Sequence, residues 1–160
     1  EGYIINTNKG DLSLCKNYRG IMLLSTSGKV LDRILLKRMK VSADQYLREN
    51  QAGFRKIRSC PDQIATLRII IKKSLKWKSS LYAKFIDFEK AFDSIDRDSL
   101  WKIMRHYGIP NKYISIFKAT CEDMTYRVLR GGDATEKFQV LTGVGQGCIL
   151  SPFLFLMSIE

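Results

Sequence analysis

One histidine, three prolines and no Cys-x-x-Cys pair in 160 residues leave several classes of chemistry without their side chains. Any Ser-His-Asp or Cys-His mechanism would have to rest on His106, which lies in a helix-like stretch with no nucleophile beside it. A surface or packing role is expected for it. The four cysteines, at 15, 60, 121 and 148, lack both zinc-ligand spacing and the density of a disulfide scaffold, so free and mostly buried thiols in a reducing compartment are expected. Acidic residues are short as well, 16 against 27 Lys and Arg, a balance of 27 − 16 = +11. Such an excess favours a polyanionic partner, nucleic acid ahead of an acidic membrane surface; a charge that only aids solubility is the alternative. Internal repeats, low-complexity tracts and Pro- or Ser-rich linkers are absent, so the chain reads as one continuous domain, and 45% hydrophobic residues can build its core.

No signal peptide is visible, and a start at Glu1 rather than Met suggests an excerpt. Residues 138–159 carry no charge and are long enough to span a bilayer. Gln139, Thr142, Gln146, Ser151, Pro152 and three glycines within that stretch argue instead for a buried loop and helix.

Periodicity places a helix over 29–40, with Val30, Leu31, Ile34, Leu35 and Met39 on its apolar face. Ser59 and Asp62 form a capping box for a second helix with Ile64, Leu67, Ile71 and Leu75 in register. The lysines that end it, 72, 73, 76 and 78, suit either phosphate contacts or a solvated helix terminus that complements the dipole. Leu81–Asp87 reads as a strand, and 98–107 as a helix closed by Gly108 and Pro110. Asn111 is expected to cap the next helix, which carries Ile114, Phe117 and Cys121. Thr125–Arg130 and Lys137–Leu141 read as a hairpin joined by Gly131-Gly132-Asp133. The order predicts an α+β architecture rather than regular βαβ alternation.

Two segments carry the chemistry. Phe85-Ile86-Asp87-Phe88-Glu89-Lys90-Ala91-Phe92-Asp93 is an apolar strand ending on a carboxylate and running into a helix-like stretch. Asp87 there suits a hard divalent cation as an oxygen ligand, and it equally suits an N-cap. Asp93, Asp96 and Asp98 are explained by capping and surface exposure, and one carboxylate alone cannot hold a catalytic metal pair. The second segment, residues 143–152, is glycine-rich and bears Gln146. It lacks the Gly-Lys-Ser/Thr ending of a P-loop. Its glycines permit close backbone approach to a ligand and Gln146 can donate and accept there, while a tight helix entry without a ligand is the other reading.

Four blocks in order give these segments a family. Asn17-Tyr18-Arg19-Gly20-Ile21-Met22-Leu23-Leu24, Gln51–Cys60 with its Gln-x-Gly-Phe-Arg start, Phe85–Asp93 and Gly143–Phe155 with its Gln-Gly-x-x-Leu-Ser-Pro run resemble the reverse-transcriptase domain of non-LTR (LINE-like) retrotransposons over nearly the whole chain. The resemblance implies a right-hand polymerase fold, fingers over about 1–80 and an incomplete palm over about 81–160. It implies RNA-directed DNA polymerase activity in the intact parent, with RNA template, DNA primer and dNTP as partners, two Mg²⁺ ions as cofactors, no membrane, and a nuclear and cytoplasmic location. By position, Asp87 becomes the metal-binding and catalytic aspartate and Phe88 lends a backbone carbonyl to the metal. Phe92 becomes the bulky residue under the incoming sugar, Gln146 lines the nucleotide pocket, and Arg19 reaches the triphosphate. Relatives usually have Pro where Gly20 stands and Arg where Gly145 stands. The sequence stops at Glu160, before the aromatic-x-Asp-Asp hairpin and the thumb, so a truncated and inactive fragment is expected. A group II intron-type enzyme and a non-catalytic nucleic-acid-binding remnant are the rival readings.

Overall fold

A computed structural model describes residues 1–6, 11, 13–130 and 132–159. Four helices and the loops between them build the core. Helix α1 (Thr26–Asp44) starts at Ser25, whose hydroxyl accepts from the Gly28 amide at 3.1 Å. Helix α3 (Arg97–His106) starts at Asp96, whose carboxylate accepts from the Ser99 amide at 2.8 Å. Gly108, at φ 69°, ends α3 as its sequence predicts: its amide donates to Arg105 and the Ile109 amide to Met104, both at 3.0 Å. This is the Schellman arrangement, and the buried Ile109 supplies its hydrophobic contact. Helix α4 (Asn111–Glu122) and helix α5 (Ser151–Ile159) complete the cluster, in which Leu35, Met39, Leu100, Met104, Ile114, Leu150 and Met157 are closed off from solvent. Asn111 is the first residue of α4 and not its cap; Pro110 precedes it without any side-chain bond, because its fixed φ already suits a helix entry.

A mixed sheet lies beside the helices. Strand β1 (Gly2–Asn6) pairs antiparallel with β2 (Tyr18–Met22) and parallel with β3 (Thr125–Arg130). β3 also pairs antiparallel with β4 (Asp133–Ala134) and β5 (Phe138–Gln139). The expected hairpin is therefore present, but its return arm is two short pieces; Thr135 breaks it by turning its hydroxyl to the Val128 amide at 3.1 Å. Gly131, in the expected turn, lies outside the described residues.

Several sequence expectations need correction. The buried face of α1 is Asp32, Leu35, Met39 and Ala43, while Val30, Leu31 and Ile34 are exposed. On this face Leu35, Met39 and Ala43 join the core, and the buried Asp32 carboxylate accepts from the Cys148 thiol at 2.9 Å. Helix α2 (Cys60–Lys76) has the expected box, with the Asp62 amide donating to Ser59 Oγ at 3.3 Å, yet it buries no residue. Residues 81–88 form no strand and no other regular element, since none of the described residues offers them a ladder. Tyr82 and Phe85 are left 93% and 82% exposed. The thiols are free as expected but not mostly buried: Cys15 and Cys60 are exposed, Cys121 and Cys148 half-buried. Among the described residues no helix is long and apolar enough to cross a membrane; the charge-free run at 138–159 is a strand, a loop and the short α5.

Candidate active site

Asp87 does not end a strand, nor does it cap a helix. It is the penultimate residue of the exposed irregular segment 81–88, and residues 89–93 follow as consecutive turns. Lys90 holds left-handed backbone there, φ 51°, and its carbonyl accepts from the amides of Asp93 and Ser94 at 2.8 and 3.0 Å. A long side chain in that region of backbone space is uncommon and persists where its surroundings hold it.

A cavity of about 370 Å³ opens beside this turn, lined by Lys16, Tyr18, Arg19, residues 87–93 and Gln146. All five residues singled out from the sequence (Arg19, Asp87, Phe88, Phe92 and Gln146) thus meet at one place, from three distant stretches of chain. Arg19 is carried by β2, opposite Ile5 of β1. Phe92 is half-buried against Phe155 of α5, ring centroids 5.5 Å apart, and Phe88 meets the same ring edge-on at 5.9 Å.

Backbone bonds hold the three stretches together. The Val144 amide donates to Phe92 at 2.8 Å and the Gly143 amide to Ile95 at 2.9 Å. On its other side the loop is tied to β2, where the Met22 amide donates to the Gln146 carbonyl at 2.6 Å. The Ser151 hydroxyl donates to Gly145 from the start of α5. Arg97 adds a clamp that the sequence did not reveal: its guanidinium donates to the carbonyls of Gly143 and Cys121 at 2.9 Å each and of Thr142 at 3.3 Å. Close approach here requires glycine. At Gly143 (φ 76°) a Cβ would stand 2.7 Å from the Asp93 backbone, and at Gly147 (φ 108°) 2.7 Å from the Met22 carbonyl.

The cavity wall mixes signs. Lys16, Arg19 and Lys90 supply cations, Asp87, Glu89 and Asp93 carboxylates. Burial pushes the Asp93 carboxyl above its ordinary range, and the Lys90 ammonium pulls part of the way back. Lys16 and Lys90 were missed in the sequence; their only signal is proximity to Arg19 and Asp87. As a metal centre the wall falls short: among the described residues no three of His, Cys, Asp and Glu are placed to share an ion. Asp87 offers one hard oxygen ligand and no complete shell. A larger, mostly apolar cavity of about 480 Å³ shares Tyr18, Lys90 and Asp93 with this wall, but holds none of the five singled-out residues.

Residues 7–160 match the family model described as reverse transcriptase (RNA-dependent DNA polymerase). The chain belongs to the reverse transcriptase family. It is 31% identical over 145 residues to the retrovirus-related Pol polyprotein from type-2 retrotransposable element R2DM of Drosophila melanogaster, covering 91% of this chain and 14% of that protein. It is 28% identical over 152 residues to the transposon TX1 uncharacterized 149 kDa protein of Xenopus laevis, covering 95% of this chain and 12% of the relative. It is 26% identical over 141 residues to the RNA-directed DNA polymerase from mobile element jockey of Drosophila melanogaster, covering 87% and 15%. The family expected from the four sequence blocks is borne out, and the chain spans only about a seventh of these relatives.

In this member of the family, the glycines at 20 and 145 have steric partners. A Cβ at Gly20 would meet the Tyr126 ring at 3.1 Å, and one at Gly145 would meet Met22 Cε at 2.6 Å. A side chain at Gly20 would need the Tyr126 ring to give by a few tenths of an ångström, and one at Gly145 would need the flexible end of Met22 to swing aside. The Gln51 block, by contrast, has a structural use. Arg55 pairs with Asp44 at 3.0 Å and donates to the Arg48 carbonyl at 2.7 Å, closing the C-terminal end of α1.

Proposed function

We propose that this chain forms the fingers (about residues 1–80) and palm (about 81–160) of a right-hand polymerase of the non-LTR retrotransposon kind. In the parent protein it extends a DNA primer on an RNA template from dNTPs, inside the cell, in cytoplasm and nucleus. The observation that carries this reading is the convergence of Arg19, Asp87, Phe88, Phe92 and Gln146 on one cavity of about 370 Å³. That size lies within the roughly 300–1,000 Å³ of small-molecule sites.

Each wall has a task on this reading. Arg19, with Lys16 and Lys90, offers cations to a triphosphate, and Arg19 adds the planar fork that matches phosphate oxygens. Phe92, backed by Phe155, limits the space under the sugar and so disfavours a 2′-hydroxyl. Gln146, its carbonyl tied to Met22, lines the cavity with a side-chain amide able to donate and accept at the base or sugar. A divalent cation, Mg²⁺ by family resemblance, would neutralise phosphate charge when bound, with Asp87 and the Phe88 carbonyl among its ligands. The described residues do not complete its shell.

The test is primer extension by the full-length parent protein carrying Asp87→Asn. Extension is expected to be lost while RNA-template affinity stays within about twofold. Extension that persists at the wild-type rate refutes the assignment of Asp87.

A further inference from the structure

Helix α2 is the part of the molecule that the site leaves unused. All of its residues are exposed except the half-buried Leu67 and Ser74, and the helix caps itself through Ser59 and Asp62. Its two faces differ. Ile64, Leu67, Ile71 and Leu75 follow one helical stripe, while Arg68, Lys72 and Lys76 repeat at i, i+4 and i+8 on another, with Lys73 beside them. Successive cations of that row rise about 6 Å per step. Like charges at i,i+4 repel within a helix, so the row carries a standing cost that an anion laid along it removes.

No internal counter-charge does so. From Gln63 to Ile86 the sequence holds no acidic residue and six cations, at 68, 72, 73, 76, 78 and 84. Among the described residues none of these six takes part in an ion pair. Just past the helix end, about 100° around from that row and beside Lys73, stands Trp77, 67% exposed, with Lys73 Nζ 6.0 Å from its ring centroid. A cationic row with an open aromatic face beside its last turn is the pattern that follows a single-stranded backbone and stacks one of its bases.

We propose that the Arg68–Lys72–Lys76 face of α2, with Trp77, is a docking surface for single-stranded nucleic acid, carrying the template strand towards the cavity at Asp87. The choice of nucleic acid over other polyanions rests on the polymerase reading; the surface itself rests on α2 alone. Ten residues separate Trp77 from Asp87, so the ladder ends within about 35 Å of the cavity. Charge complementarity selects the occupant: the ladder is part of a chain of net charge +11.

The experiment measures fluorescence anisotropy of a labelled oligouridylate titrated with this chain across a salt series. Lys72→Ala/Lys76→Ala is expected to weaken binding at least tenfold and to reduce the log K against log [salt] slope by about 1.4, the value for two phosphate contacts on a single strand. Trp77→Ala is expected to weaken it several-fold with the slope unchanged. In the wild type, RNA should shield Trp77 from acrylamide, an assignable signal because the other tryptophan, Trp101, is buried. The control Arg105→Ala/Lys112→Ala removes the same charge from exposed positions on α3 and α4. Equal losses in control and ladder variants, or no loss in the ladder variant, overturn the proposal. So does tighter binding to phosphatidylserine-containing vesicles than to the oligonucleotide, which would make α2 a membrane-surface helix. Binding of dNTP to the chain, followed in the same variants, reads the cavity separately: its loss on Asp87→Asn or its persistence tests the polymerase site whatever α2 does.

Discussion

Replacing Arg97 by methionine keeps the length of the side chain and removes all of its donors. The structure gives it three carbonyl partners, two at 2.9 Å and one at 3.3 Å, on Gly143, Cys121 and Thr142. A hydrogen bond from a charged donor contributes about 1.5–3 kcal/mol when well placed. Arg97 is half-exposed, so solvent replaces part of each bond, and about 1 kcal/mol for each of the two short ones with less for the third is the reasonable scale. The expected loss is roughly 2–3 kcal/mol, or a fall in Tm of about 5–10 °C for a chain of this size. Thermal unfolding by circular dichroism reads the total, and amide exchange reads its location. The amides of Gly143 and Val144, which donate to Ile95 and Phe92, should exchange at least tenfold faster, because the clamp keeps them in place. Arg97→Lys retains the charge without the fork and should recover less than half of the loss. A Tm within about 2 °C of wild type, with loop exchange unchanged, would falsify the idea that Arg97 holds the Gln146 loop.

Other perturbations read neighbouring contacts. Burial, then the bond to Asp32, pushes the Cys148 thiol up to about 12, so at pH 8.5 it stays protonated while exposed Cys15 and Cys60 do not share that environment. Iodoacetamide should therefore label Cys148 roughly a thousandfold more slowly than a free thiol of pKa about 8.5, and Asp32→Asn should speed it; equal labelling rates defeat the reasoning. The sign for stability follows: above about pH 8.5 the unfolded chain loses this proton and the folded one keeps it, so the thiol's contribution falls as pH rises. Gly147→Ala places a Cβ 2.7 Å from the Met22 carbonyl at φ 108°, and urea unfolding should show a loss of at least about 2 kcal/mol. In the full-length parent, Phe92→Val should raise rNTP use relative to dNTP in kcat/KM; an unchanged ratio would mean that the sugar is checked elsewhere.

What could be read from the sequence was mostly local. The Ser59–Asp62 box and the Gly108 helix end need only a few consecutive residues, and both appear where the sequence puts them. Strand β1 was not legible, because Gly2-Tyr3-Ile4-Ile5 becomes a strand through partners as far away as Val128. The face of α1 was misread for a similar reason: Cys148, which gives the buried Asp32 its partner, lies 116 positions away. Leu81–Asp87 has strand composition, but a strand also needs a ladder, and composition cannot report one. For the site, motif resemblance picked out residues that do share a cavity. It missed Arg97 because that clamp grips backbone carbonyls, which carry no side-chain signature.

The parallel pairing of β1 with β3 sets a timetable for making the protein. Gly2 faces Tyr126, a separation of 126 − 2 = 124 residues, so the edge of β1 that pairs with β3 waits for that much more chain to be made. At about 5–20 residues per second, the interval between translating the two is roughly 6–25 s. β2 covers one side of β1 early, but the other stays an open strand edge on a nascent chain, a template for pairing with neighbours. Substitutions that weaken β3 should therefore first lower the soluble yield during synthesis, with purified molecules that did fold behaving almost normally.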